Sequence, residues 1–85
     1  MVNYTVVITQ SVQKYLNKLP RPVAIKLEAE MLSLESNPRP YGYKKLKGRE
    51  GYRIRYGDYR IIYTVEDKIL KVIIIDAGHR KEIYR

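Results

Sequence analysis

Two alternating runs separated by a two-residue turn constrain this chain more than any other feature. Tyr52-Arg53-Ile54-Arg55-Tyr56 alternates strictly, Gly57-Asp58 is a turn signal, and Tyr59-Arg60-Ile61-Ile62-Tyr63-Thr64-Val65 returns. The order Gly-Asp suits a type II′ turn better than a type I′ turn. If those two residues form the loop, Tyr56 faces Tyr59, Arg55 faces Arg60, Ile54 faces Ile61 and Arg53 faces Ile62. Directly paired residues point to the same side of a sheet. One side of the hairpin therefore carries Tyr52, Ile54, Tyr56, Tyr59, Ile61 and Tyr63, a core face. The other carries Arg53, Arg55 and Arg60, with Arg55 and Arg60 about 5 Å apart and Arg53 about 7–8 Å diagonally from Arg60.

Like charges directly opposite each other destabilise a sheet, and no acidic residue shares that face of the hairpin. An anion seated there would relieve the repulsion, and arginine forks bind phosphate bidentately, so a phosphodiester is the natural guest. The alternative is that the long side chains splay into solvent, or that Glu50, Glu82 or Asp76 pairs with them from a loop.

The rest of the chain supplies layers for this hairpin. Residues 3–8 are β-prone and read as a strand. Thr9 suits a helix N-cap, and Val12, Tyr15, Leu16 and Leu19 follow at i, i+3, i+4 and i+7, one helical face. Pro20-Arg21-Pro22 stops that helix, and Pro22 opens a second. Val23, Leu27, Met31 and Leu34 lie near one stripe of it, widened by Ala24, Ile25 and Leu32. Asn37-Pro38-Arg39-Pro40 ends the helical hairpin, and residues 41–51 are a Gly- and Lys-rich connection without clear periodicity. Glu66-Asp67-Lys68 turns again. Ile69 to Ile75 is an almost unbroken aliphatic run, as expected of a central strand buried on both faces. A polar, basic tail begins at Asp76 and can fold back beside the arginines. The order β-α-α-β-β-β predicts a single α+β domain over residues 1–85, its helices packed on one face of an antiparallel-rich twisted sheet.

Composition narrows the chemistry. Eighty-five residues leave no room for two lobes and a deep cleft, so a site must be a shallow groove. The absence of cysteine excludes disulfides, thiolate metal sites and a cysteine nucleophile, and a single histidine makes a zinc site improbable. No metal or other cofactor is expected. No apolar run approaches a membrane span and the start resembles no signal peptide, so a cytoplasmic protein with no membrane partner is expected. Seventeen Lys+Arg against nine Asp+Glu give a net charge of +8, of which +6 falls in residues 41–85. A concentrated basic surface favours a polyanionic partner. Nine tyrosines with no Phe or Trp suit both a packed core and stacking on bases. In the tail, His79 is the acid/base candidate by its ordinary pKa, Arg80 a further cation and Tyr84 a stacking or proton-donating group.

Leu46-Lys47-Gly48, Tyr52-Arg53-Ile54-Arg55, Tyr59-Arg60-Ile61-Ile62-Tyr63 and Gly78-His79-Arg80-Lys81-Glu82-Ile83-Tyr84, at these separations in a small basic chain, resemble the RelE/ParE superfamily of toxins from toxin–antitoxin operons. The resemblance covers nearly the whole chain and is strongest to the RelE-like branch. It implies a microbial-RNase-like toxin fold and an mRNA interferase: a ribosome-dependent, metal-independent endoribonuclease that cuts mRNA in the ribosomal A site. There a 2′-hydroxyl attacks the adjacent phosphate and leaves a 2′,3′-cyclic phosphate and a 5′-hydroxyl. It further implies inhibition of translation, a cognate small antitoxin with acidic segments, a toxin monomeric alone and oligomeric with that antitoxin, and the ribosome and mRNA as partners.

Carried onto this sequence, Arg53 and Arg55 fall where the RelE branch has two catalytic lysines. Arg60 falls on the phosphate-binding arginine of the second hairpin strand, Arg80 on the C-terminal arginine that helps the leaving group, and Tyr84 on the tyrosine that stacks on the mRNA base. Lys44, Lys45, Lys47 and Arg49 would be ribosomal RNA contacts. Arginine is effectively never deprotonated, so Arg53 and Arg55 can stabilise a pentacovalent transition state but not take a proton. The base is then His79, Glu50, a lysine from the 44–47 run or the ribosome, with His79 the first protein candidate. Two other functions fit the family or the charge: a ParE-like inhibitor of DNA gyrase, and a non-catalytic ribosome- or RNA-binding module.

Overall fold

The computed structural model describes residues 3–79. Its elements are β1 (Thr5–Ile8), α1 (Gln10–Lys18), α2 (Arg21–Leu32), β2 (Lys44–Lys45), β3 (Tyr52–Tyr56), β4 (Tyr59–Glu66) and β5 (Lys71–His79), with 3₁₀ turns at Ser33–Glu35 and Asp67–Ile69. The strands form one five-stranded sheet in the order β1-β5-β4-β3-β2. It is mixed: β1 runs parallel to β5 and the other pairs are antiparallel. The two helices cross from β1 and pack on one face, giving an α+β domain.

The helices begin and end where local chemistry demands. Thr9 is the N-cap of α1, yet its hydroxyl makes no cap bond. It donates instead to the Ile74 carbonyl at 2.9 Å, tying the start of α1 to β5. Val12 and Leu16 turn inward from α1, and Leu27 and Met31 from α2. Pro22 sits in the first turn of α2, where a missing N–H costs nothing. Leu34 continues the α2 stripe from the 3₁₀ turn and is fully buried. These side chains meet Ile54, Ile61, Tyr63, Val72, Ile74 and Ala77 from the sheet in one core. Each fully buried aliphatic contributes about 1.5–3 kcal/mol.

The hairpin register is the one its turn implies: Tyr56↔Tyr59, Arg55↔Arg60, Ile54↔Ile61 and Arg53↔Ile62. Of the two loop residues only Gly57 has a positive φ, +58°, as type II′ requires and type I′ does not.

Four features differ from the sequence expectation. A two-residue strand, Lys44–Lys45, lies inside the segment without periodicity, too short to show alternation. The sheet's middle strand is β4, not β5. Ile73 and Ile75 of β5 are only half-buried, so its aliphatic run is not covered on both faces. Finally, β5 runs on through Asp76 to His79, where a loose tail was expected. A register irregularity beside Ile62/Tyr63 skips Ile75, so that Ile62 pairs with Asp76 while Tyr63 pairs with Ile74. Such a bulge reverses which side every later residue faces.

Candidate functional site

The alternation of β3 and β4 assembles the site. Arg55 pairs with Arg60, Arg53 with Ile62, and, across the other edge of β3, Arg53 with Lys44. Paired residues share a side, so Lys44, Arg53, Arg55 and Arg60 line the sheet face away from the helices. Lys44 and Arg55 are exposed, Arg53 is half-buried and Arg60 is 5% exposed. Arg60 lies opposite Gly78, which offers no side chain beside it. The bulge brings Asp76 opposite Ile62 onto the same face; Asp76 is exposed, and one of its carboxylate oxygens accepts the Ala77 N–H at 2.9 Å.

Lys44 reaches this face because the connection to β3 folds tightly. The Leu46 N–H donates to the Gly51 carbonyl at 3.0 Å. Gly51 has φ +136°, and a Cβ there would lie 3.1 Å from the Tyr63 carbonyl oxygen and 3.2 Å from Leu46 Cδ1. Only glycine closes this turn without strain. The pairing separates the neighbouring lysines: Lys45 lies opposite Tyr52, on the other side of the sheet's edge. Lys45 and Lys47 still line, with Lys44 and Arg53, an open hollow of about 380 Å³. Arg49 is exposed in the loop and does not join it.

The structure does not bring His79 to the arginines. After the bulge His79 pairs with Tyr59, whose ring belongs to the helix side, whereas Arg60 pairs with Gly78 on the far side. Its imidazole stands edge-on to the Tyr59 ring, centroids 5.5 Å apart, and its Nε2 is 4.0 Å from Asp58 Oδ2. Its backbone N–H donates to the Tyr15 hydroxyl at 3.1 Å. Without the extra residue in β5, parity would have turned His79 toward the arginines. Arg80 and Tyr84 lie outside the described residues.

One arginine outside the sequence expectation, Arg39, is tied down firmly. Its guanidinium donates to both Asp67 oxygens, at 2.9 and 3.2 Å, and to the Tyr52 hydroxyl at 3.3 Å. It also lies 5.1 Å from the centre of the Tyr52 ring. The Tyr4 hydroxyl donates to Asp67 at 2.7 Å. The Arg39 hydrogen bonds, then that of Tyr4, hold the Asp67 carboxyl below its ordinary range. Next to this strap the wholly buried Tyr63 donates its hydroxyl to the Pro38 carbonyl at 2.7 Å, and burial pushes its phenol up to about 12. Together these bonds tie residues 38–39 to β3, β4 and the turn that follows β4. Beyond them a groove of about 570 Å³ opens between the end of α2 and β3, with Tyr41, Glu30 and Arg55 on its walls. Sequence reasoning passed over it. The signal present was a tyrosine between Pro40 and Gly42 in a segment with no strand or helix to bury it.

The face therefore gathers one lysine and three arginines on the sheet, with Lys44 and Arg55 exposed, Arg53 half-buried, Arg60 buried and the Asp76 carboxylate on the same side. Its chemistry is that of anion binding and electrostatic stabilisation. The profile of a family described as ParE toxin of type II toxin–antitoxin system, parDE, matches residues 6–84. This chain belongs to the RelE/ParE superfamily of type II toxins. It is 33% identical to toxin RelG of Mycobacterium tuberculosis, over 96% of this chain and 97% of that protein. Its fold superposes on the toxin–antitoxin complex RelBE2 of M. tuberculosis with a TM-score of 0.82 at 31% identity, covering 94% of each chain. It superposes on the archaeal RelE–RelB complex of Pyrococcus horikoshii OT3 with a TM-score of 0.81 at 33% identity, covering 93% of this chain and 97% of that one. No helix among the described residues is long and apolar enough to cross a membrane.

Proposed function

We propose that this toxin is an endoribonuclease that cleaves mRNA in the ribosomal A site and so inhibits translation. The observation that carries this is the register that gathers Lys44, Arg53, Arg55 and Arg60 on one face. A phosphodiester lying across them meets bidentate donors from two adjacent strands. As the 2′-hydroxyl attacks, negative charge grows on the phosphoryl oxygens, and fixed guanidinium groups favour that state over the ground state. The arginines take no proton. Of the groups that can, Lys44 and Asp76 share the face with them, and the ribosome is the other candidate; His79 is across the sheet. Arg80 and Tyr84 retain the leaving-group and stacking roles that their motif implies, and Lys45, Lys47 and Arg49 contact ribosomal RNA. The reaction as written needs no metal.

The toxin's cognate antitoxin would be a small acidic protein. Ile25 and Leu32, the outer part of the α2 stripe, remain 53% and 41% exposed. That supports a helical antitoxin segment across the helices together with an acidic one on the basic face.

The test is mRNA cleavage in a purified translation system, with and without ribosomes, using wild type, Arg53→Ala and Arg60→Ala. Cuts confined to ribosome-bound message, lost in both variants, are expected. Inhibited translation without cuts would leave a binding module. The matched family profile is a ParE one, so a gyrase supercoiling assay runs beside it, and inhibition there with untouched translation would move the protein to that branch.

A further inference from the structure

The groove beside β3 has features that phosphate binding does not use. Tyr56 and Tyr59 flank a two-residue loop and so exchange hydrogen bonds; alternation then turns the N–H and C=O of the next residue, Arg55, away from β4. On that outer side β2 pairs only as far as Arg53. The chain preceding β2 does not continue along Arg55. It curls away through a turn closed by the Tyr43 N–H on the Pro40 carbonyl at 3.0 Å. The curl leaves Tyr41 fully exposed at the lip of the groove. The opposite wall, at the end of α2, is lined by Glu30, a carboxylate residue, and Ser33. Ser33 donates its proton back to the Glu30 carbonyl at 2.6 Å, so its oxygen is left as an acceptor. Lys44, Arg53 and Arg55 border the same space from the cationic face.

We infer that this groove is a nucleobase subsite for an unpaired guanine next to the phosphate held by the arginines. The inference rests on the reading of that face as an RNA site. Bases in single strands are bound by stacking on aromatic rings and by hydrogen bonds to their Watson–Crick edges. Tyr41 supplies the ring. An ionised carboxylate only accepts, and guanine alone presents two adjacent donors, N1–H and N2–H, for it. The guanine O6 beside them is an acceptor, matched by the outward Arg55 N–H. Adenine and cytosine each set an acceptor nitrogen next to one amino donor, and uracil sets carbonyl oxygens on both sides of its N–H. Each of these turns a lone pair toward Glu30. The same carboxylate argues against an acidic peptide as the occupant, although the three cations beside it would welcome one.

The experiment measures fluorescence anisotropy of the full chain with labelled 2′-O-methyl pentauridylates carrying G, A, C or inosine at the centre. These bind but have no 2′-hydroxyl nucleophile, so cleavage plays no part. The guanine oligomer should bind roughly tenfold more tightly than the adenine one, with inosine, which lacks the N2 amine, between them. Glu30→Gln should erase that preference by weakening the guanine oligomer, since its amide no longer accepts from both donors. Tyr41→Ala should weaken all four about tenfold, and Tyr41→Phe should restore them. Equal affinity for all bases, or indifference to both Tyr41→Ala and Glu30→Gln, overturns the subsite. If Arg53→Ala still weakens those oligomers, the cationic-face reading survives that failure; if it does not, both fall. A peptide of alternating Glu and Leu is the control occupant. Loss of its binding in Tyr41→Ala, with the oligomers untouched, would assign the groove to an acidic strand and overturn the inference.

Discussion

The two sides of the β3–β4 hairpin are made by the same ten or so residues and solve opposite problems. Toward the helices, Ile54, Ile61 and Tyr63 are buried, with Tyr52, Tyr56 and Tyr59 packed around them. The one buried hydroxyl there, that of Tyr63, is matched to the Pro38 carbonyl. Away from the helices lie Arg53, Arg55 and Arg60, with Ile62 and Thr64 further along β4, and Arg55 stands directly opposite Arg60. The inner side is limited by volume and by satisfied hydrogen bonds. The outer side sets like charges opposite each other, a cost that anions on the same face, such as Asp76, offset in part. Stability and function are thus divided by residue parity along two strands, except at Arg60 and Ile62, which lie on the outer side and are buried.

The largest effect expected comes from the inner side. Ile61→Ala removes a fully buried side chain in the middle strand and should lower stability by about 2–5 kcal/mol, read from the urea midpoint. For a domain of this size that approaches the whole of its stability. On the outer side, Arg53→Ala and Arg55→Ala should each reduce cleavage about 10²–10³-fold, and the exposed Arg55→Ala should change stability by no more than about 0.5 kcal/mol. If Arg55→Ala costs as much stability as Ile61→Ala, the division by parity fails.

A smaller effect tests the inner side by pH. Burial raises the Tyr63 phenol to about 12 from an ordinary 10. A group whose pKa is raised by folding contributes stability that is intact below the unfolded value and is lost as pH climbs toward the folded one. The protein should therefore lose roughly 2–3 kcal/mol between about pH 10 and about pH 12. Tyr63→Phe should flatten that limb, at a cost of about 1 kcal/mol at neutral pH for the bond to Pro38. A limb unchanged in Tyr63→Phe would mean that the phenol ionises elsewhere than in the core.

How much of this could be read from residues alone follows from what strand alternation can and cannot carry. Gly57-Asp58 between two alternating runs set the hairpin register, and with it the shared face of Arg53, Arg55 and Arg60. The proline-bounded helices were legible because their apolar spacing spans whole turns. The two-residue β2 has no period to read, so the membership of Lys44 in the cationic face was hidden. The bulge in β5 was hidden too, because a run of isoleucines looks the same whichever residue is skipped. That single residue decides that His79 meets Tyr59 and Asp58 rather than the arginines. Arg39, between two prolines, gave no sign that Asp67 and Tyr4 converge on it from distant segments.

The smallest effects separate two kinds of arginine. Arg39 is held by a carboxylate, and Arg55 faces another arginine. Hydrogen bonds from Arg39 and then Tyr4 keep Asp67 ionised to lower pH than usual. A depressed carboxyl contributes stability that is present above its unfolded pKa near 3.9 and is lost as pH falls through the lower folded value. Asp67→Asn should therefore remove part of the acid limb below about pH 5 and leave the alkaline limb alone. Salt then distinguishes the two arginines by sign. Screening weakens the attraction at Arg39 and relieves the repulsion between Arg55 and Arg60. Asp67→Asn, which has only the repulsion left, should gain more stability from added salt than wild type does. Arg55→Gln, which loses the directly opposed Arg55–Arg60 pair, should gain less. The two midpoint-against-salt slopes should bracket the wild-type slope, and slopes that coincide would mean that neither pair is felt in the folding equilibrium.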